Sequence, residues 1–215
     1  MTIFIDAGPA LNFLATSNQN ILIQVAAAKG SNIHVPERVE REILGKARLD
    51  TRFQQTPVES TWNKLVSSSR ITVLSDVISN RMFEDAISRV ADMPARNRMQ
   101  NSKSLGEILV IAHASVLVQS GHNVFILMDD SDGRRRAKTE LTWLGAQGHP
   151  SDCLAVWSTR QVLESAAGQG WITQWEPLYD RMRRFDDGLL PRYSMRSRQL
   201  THRRARNSAS VEVDF

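Results

Sequence analysis

Five short runs of Ile, Val, Phe and Leu punctuate the chain, at Thr2–Ile5, Ile33–Val35, Ile71–Leu74, Val124–Met128 and Leu154–Val156. Between them lie helical patterns at roughly Pro9–Ala15, Ile21–Lys29, Pro36–Leu44, Pro57–Ser67, Asn80–Val90, Leu105–Ser120, Arg134–Leu144, Arg160–Ala167 and Pro177–Arg184. Strands separated by helices cannot pair as hairpins. They pair in parallel, with the connecting helices covering both faces of the sheet. The expected fold is therefore α/β, a three-layer α/β/α sandwich around a central, mostly parallel sheet. No internal repeat competes with this reading.

Local signals sharpen it. Thr56-Pro57-Val58-Glu59 combines a capping box with proline at the first helical position. Gly121 and Gly145 each follow a helical pattern as a C-cap. The polar stretch 91–103 (ADMPARNRMQNSK) reads as a loop or lid before a strongly apolar helix. One domain over residues 1–185 follows, with a basic, flexible tail over 186–215 whose apolar content collapses.

In an open parallel sheet, chemistry gathers at the carboxyl ends of the strands. Asp6 ends the first apolar run. Glu42 falls on the same helical face as Val39 and Ile43, whereas Glu37 and Glu40 lie off it and read as solvated. Glu107 opens the most apolar helix, and Asp129, Asp130 and Asp132 follow the fourth run. Each has a bland alternative. Asp6 could cap a helix, Ser104 and Glu107 form a capping-box pair, and Asp130 and Asp132 suit the start of the next helix. As a set they converge on one sheet edge, where like charges repel unless cations neutralise them. An all-oxygen donor set without Cys or His selects Mg²⁺ or Mn²⁺, the ions of phosphate chemistry.

Charge distribution agrees with a phosphate-bearing partner. The formal net charge of +4 is modest, but arginines gather at Arg134-Arg135-Arg136 and from Arg181 through Arg206. The lone Cys153 permits no internal disulfide and fits a reducing, cytoplasmic setting. No leader peptide is expected, because Asp6 interrupts the first apolar stretch, and no membrane span, because Ile108–Val118 is too short. Trp62, Trp143 and Trp157 read as core rather than as base-stacking surfaces. Two enzyme classes fail at the first turn. A phosphatase of the haloacid dehalogenase type needs a second Asp where Gly8 stands, and a dinucleotide site needs more glycine than Gly8 before Pro9.

The motifs FIDAGPALNFLA, VPERVEREI, GEILVIAHA, ILMDDSDGRRRA and TRQVLESAAGQGWI, in that order over residues 1 to 185, resemble the PIN-domain ribonucleases, the family of VapC-type toxins. The resemblance implies endonucleolytic RNA cleavage at an acidic Mg²⁺ or Mn²⁺ site. Its catalytic acids would be Asp6, Glu42, Glu107 and Asp130. Asp6, Glu107 and Asp130, with Asp129 and Asp132 as further candidates, would hold metal. Relatives often carry Thr-x-Asp at the fourth motif, where this chain reads Met128-Asp129-Asp130-Ser131-Asp132. Arg134, Arg135 and Arg136 would bind substrate phosphate, and Thr159 would hydrogen-bond a water beside the metal. A cognate antitoxin and a homodimer are implied partners. Two alternatives remain from the residues: a non-catalytic RNA- or protein-binding domain, and a DNA-directed nuclease of the same superfamily.

Overall fold

The computed structural model describes residues 1–191. Its five strands are β1 (Thr2–Ile5), β2 (Ile33–Pro36), β3 (Ile71–Leu74), β4 (Val124–Leu127) and β5 (Leu154–Trp157). All neighbours pair in parallel, in the order β3-β2-β1-β4-β5. β1 is central, with Ile3 beside Ile33 on one side and Phe125 on the other. Strands buried on both faces need near-continuous apolar sequence, and β4, VFIL, is buried at every position. The strand order reverses between β1 and β4, so their carboxyl ends frame the crevice where α/β folds bind ligands.

The helices are α1 (Ala7–Ala15), α2 (Gln19–Ala28), α3 (Glu37–Leu49), α4 (Val58–Ser67), α5 (Arg81–Ala91), α6 (Ala95–Met99), α7 (Leu105–Gln119), α8 (Ser131–Ala146), α9 (Thr159–Gly168) and α10 (Glu176–Met182). α1 packs on α2, α3, α4 and α10, and α7 packs on α5 and α8, which makes two helical layers around the sheet. α7 lies across four strands. It is accordingly apolar all round, with Ile108 to Ala112 and Ala114 buried. None of the described helices is long and apolar enough to cross a membrane.

Several local expectations fail for identifiable reasons. Stretch 91–103 is not a plain loop. It contains α6, and the buried Arg98 ties it down by donating to the carbonyls of Asn101 and Lys103. Thr56 does not cap α4; its hydroxyl donates back to the Phe53 carbonyl. Gly145 lies inside α8, and the left-handed residue that follows that helix is Gly148, at φ +89°. Gly121 does adopt the left-handed conformation just beyond α7, at φ +84°. Glu40 is not simply solvated, because it accepts from Trp62 Nε1 at 3.0 Å. Glu37 likewise accepts a 3.5 Å contact from the Asp76 amide.

The domain also extends past residue 185. Leu189 is buried, Tyr179 donates its hydroxyl to the Leu190 carbonyl, and Arg183 donates to the Leu189 carbonyl. Residues 186–190 therefore belong to the packed body. The remainder of the expected flexible tail lies outside the described residues.

Candidate active site

Asp6 sits where the sequence placed it, on the first residue past β1. Its amide donates to the Leu127 carbonyl at 3.0 Å, which extends the β1–β4 ladder by one step. Its carbonyl accepts from Ala10 at 3.2 Å, so its backbone starts α1. Its side chain makes no capping hydrogen bond. The carboxyl is 7% exposed, and burial pushes its pKa up to about 7, partly offset by the Ala7 amide and reinforced by Glu42 and Asp129. A capping aspartate would be exposed and stabilised as an anion. Asp6 is neither.

Two glycines let two helices bring acids toward it. A Cβ on Gly106 would stand 3.1 and 3.3 Å from the Glu42 carboxylate oxygens and 3.3 Å from Val39. The bare backbone of Gly106 thus lets the start of α7 close on α3. A Cβ on Gly133 would strike Met128 Sδ at 2.5 Å and approach Glu107 Oε2 to 3.4 Å. That absence seats α8 beside Glu107. Glu42 pairs with Arg38 at 3.1 Å, one helical turn earlier.

Glu107 does not complete the expected capping box. Ser104 is left-handed, at φ 52°, and offers no side-chain cap. Glu107 is left facing the other acids, with Oε2 buried and without a hydrogen-bond partner. Burial first, then the charges of Asp6, Asp130, Glu42 and Asp132, pushes its pKa up to about 8.

The three aspartates after β4 divide their roles. Asp129 accepts from the Thr159 amide at 2.8 Å and from the Thr159 hydroxyl at 2.5 Å. Burial still pushes its pKa up to about 6, against those bonds and the nearby Arg134, with Asp186 adding to the rise. Asp130 caps α8 through the Gly133 amide at 2.8 Å, and its charge reaches Glu107. Asp132 is held by Arg135 and Arg136 on the outer turns. Asp6, Glu42, Glu107, Asp129 and Asp130 are brought together, and Asp132 is drawn to the periphery.

Two of the residues expected at the substrate have protein partners of their own. Thr159 is fully buried and gives both of its donors to Asp129, which makes it a positioning residue for that carboxylate. Arg136 bridges Asp132 to the Val90 carbonyl and so ties α8 to α5. Arg134, whose Nη1 donates to the Met128 carbonyl at 3.3 Å, and Arg135 remain at the site. Trp62 is fully buried, Trp143 lies 3.5 Å under the Arg89 guanidinium, and Trp157 meets Phe125 edge-on at 5.0 Å.

Asp186 and Asn12 were missed. Asn12 lies fully buried in α1 and donates to Asp186 at 2.9 Å, while its own Oδ1 has no partner. Asp186 thereby joins the acidic edge from the far end of the domain. The available signal was Asn12 itself, an amide on the inward face of an apolar helix.

The donors are all oxygens, one buried carboxylate oxygen is orphaned, and two glycine gaps seat acids around it. In type these residues fit a hard divalent cation. Among the described residues no three such side chains already enclose a space for one. A scan against protein-family models, a search of curated proteins and a search of solved structures each found no match to this chain.

Proposed function

We propose that this chain is a metal-dependent endoribonuclease of PIN-domain type, the toxin of a toxin–antitoxin pair acting in the cytoplasm. The observation that carries the reading is that Asp6 lies buried, and Glu107 and Asp129 half-buried, at the sheet's point of reversal, with no ion pair to any of their carboxylates among the described residues. A fold that stores uncompensated carboxyls in its ligand crevice keeps them at a cost to stability, which is the mark of a functional site. The antitoxin partner and a homodimer rest on the sequence resemblance alone.

Asp6, Glu107, Asp129 and Asp130 would hold Mg²⁺ or Mn²⁺. When bound, the ion activates water and offsets charge on the leaving oxygen. The chain's own groups do the rest. Thr159 fixes the Asp129 carboxylate through two hydrogen bonds, so its oxygens cannot rotate away. The Gly133 amide holds Asp130 through a single hydrogen bond to Oδ1. Glu42, anchored by Arg38, stands beside Gly106 with its second oxygen able to accept a proton. Arg134 lies near Asp129 and can meet substrate phosphate.

Incubation of the full chain with single-stranded RNA, structured RNA and single-stranded DNA, in Mn²⁺ and in EDTA, tests the reading. RNA cleavage in Mn²⁺ alone is expected. Equal cleavage in both conditions, or none in either, contradicts it, and cleavage of DNA alone reassigns the substrate.

A further inference from the structure

Three successive carbonyls of the loop before α7, at Asn101, Ser102 and Lys103, each accept from an arginine. Arg98 gives Nη1 to Asn101 and Nη2 to Lys103 from inside the fold. Arg38, on α3, gives Nη2 to Ser102 at 3.2 Å. The Lys103 amide closes on the Asn101 side chain at 3.0 Å. Arg98 is 5% exposed and has no ion pair to a carboxylate among the described residues. A buried guanidinium carries a large desolvation cost unless its donors are used. Here they are used to fix a loop.

That loop sets where α7 begins. Ser104 is left-handed, at φ 52°, and gives α7 no side-chain cap, so the direction of the first turn depends on the residues before it. The first turn carries Gly106, which lets the Glu42 carboxylate approach, and Glu107, whose Oε2 is enclosed without a partner. Arg38 reaches both sides of this junction. Its Nε bonds Glu42 Oε1 at 3.1 Å while its Nη2 holds the Ser102 carbonyl. One planar guanidinium thus joins an acid of α3 to the loop that seats an acid of α7. The backbone amide of Arg38 donates to the Asp76 carboxylate at 2.6 Å, so the fork starts from an anchored turn. A lysine carries the same charge as a point, without a rigid fork to span the two acceptors.

We propose that Arg38 and Arg98 are positioning residues of the acidic centre, clamping the 101–103 carbonyls and thereby setting the separation of Glu42 and Glu107. The proposal rests on the reading of those acids as a metal-dependent nuclease centre and adds the device that holds its shape. Each arginine acts through a carboxylate or through the loop behind it. Loss of such outer partners typically lowers metal affinity or activity by about 10–100-fold.

Mn²⁺ binding to the full chain, read from the loss of the free-ion EPR signal, is measured beside RNA cleavage kinetics. Arg38→Lys keeps the charge and removes the fork. It should raise the Mn²⁺ Kd and lower kcat by about tenfold or more, with KM unchanged because no substrate contact is lost. Its Tm in EDTA should stay close to that of wild type, since a half-exposed ion pair contributes little to stability. Arg98→Lys should act in the same direction, and if it fails to fold, Arg38→Lys decides alone. The control Arg48→Lys, near the far end of α3 against Glu59, should change none of these values. Wild-type Kd and kcat in Arg38→Lys overturn the clamp, as does a raised KM at unchanged kcat, which would make Arg38 a substrate contact. Mn²⁺ binding that weakens in Arg38→Lys, with no cleavage by wild type, sinks the nuclease reading and leaves the clamp standing. Metal-dependent cleavage by wild type and Arg38→Lys with identical constants does the reverse. A wild type that binds no Mn²⁺ overturns both.

Discussion

Among the described residues Asp6, Asp76 and Glu140 are buried carboxylates, and the surroundings of Glu140 and of Asp6 are built in opposite ways. Glu140, on α8, is 3% exposed and fully provided for. Arg89 meets it at 2.6 Å, the Ser115 hydroxyl donates to it at 2.5 Å, and Trp143 covers the guanidinium at 3.5 Å. Asp6, buried, and Glu107, half-buried with its Oε2 enclosed, have no such cation among the described residues, and their acid neighbours raise their pKa values further. A buried pair with excellent geometry is a structural joint, here between α5, α7 and α8. Buried acids without partners weaken the fold unless something external completes them.

The largest consequence is a pH dependence opposite to that of most ion-paired carboxylates. Asp6, Glu107 and Asp129 have folded pKa values of about 7, 8 and 6, all above those of unfolded carboxyls. Below about pH 4 both states hold these protons and nothing is lost. As pH climbs through 6 to 8, the folded state must surrender protons that it binds more tightly, and stability falls. All three act in the same direction, so the falls in stability reinforce one another across this window. Mn²⁺ should restore more stability as pH rises, because it binds the deprotonated acids. Thermal melts in EDTA and in Mn²⁺ across this range check both trends. A metal-free protein that grows steadily more stable from pH 5.5 to 8.5 would erase the contrast.

Breaking the provided-for pair should behave differently. Arg89→Ala strands Glu140 in the core and should cost about 3–5 kcal/mol at neutral pH, a fall in Tm on the order of 10 °C. Since Arg89 lies outside the acidic centre, added Mn²⁺ should raise the Tm of this variant as much as that of wild type. A smaller cost follows from Thr159→Val, which keeps the shape but removes the hydroxyl bonded to Asp129. A hydrogen bond to a charged group contributes about 1.5–3 kcal/mol, and the loss should appear above pH 7, where Asp129 is ionised. Equal destabilisation at pH 5 and pH 8 would show that the hydroxyl serves packing and not the carboxylate.

The sheet was legible because each strand is a short β-branched run bounded by turn residues, and all five lie where those runs stand. Glu42 was legible through its helical phase with Val39 and Ile43, both fully buried. What escaped depends on tertiary geometry. Ser104-Leu105-Gly106-Glu107 satisfies the spacing of a capping box, yet Ser104 turns left-handed and leaves Glu107 without that bond. Gly106 and Gly133 look like ordinary helix-weakening residues until the acids packed against them are seen. Arg98 stands in the polar stretch read as a loop or lid, and only the folded chain shows it anchoring α6 from within. Asp186 lay in a segment read as tail, and its bond to Asn12 spans 174 residues, a separation that no periodicity encodes.

Asp6→Asn tests most directly whether the acidic centre awaits a cation. Asn caps a helix about as well as Asp, so the change leaves the start of α1 intact and removes only the buried ionisable group. At pH 8 in EDTA the variant should melt at or a few degrees above wild type, because no buried charge must form. The rise in Tm on adding Mn²⁺ should shrink, because a ligand that binds the folded state more weakly shifts the equilibrium less. A variant that melts well below wild type in EDTA and keeps the full Mn²⁺ response would contradict the account, and Asp6 would be a structural cap.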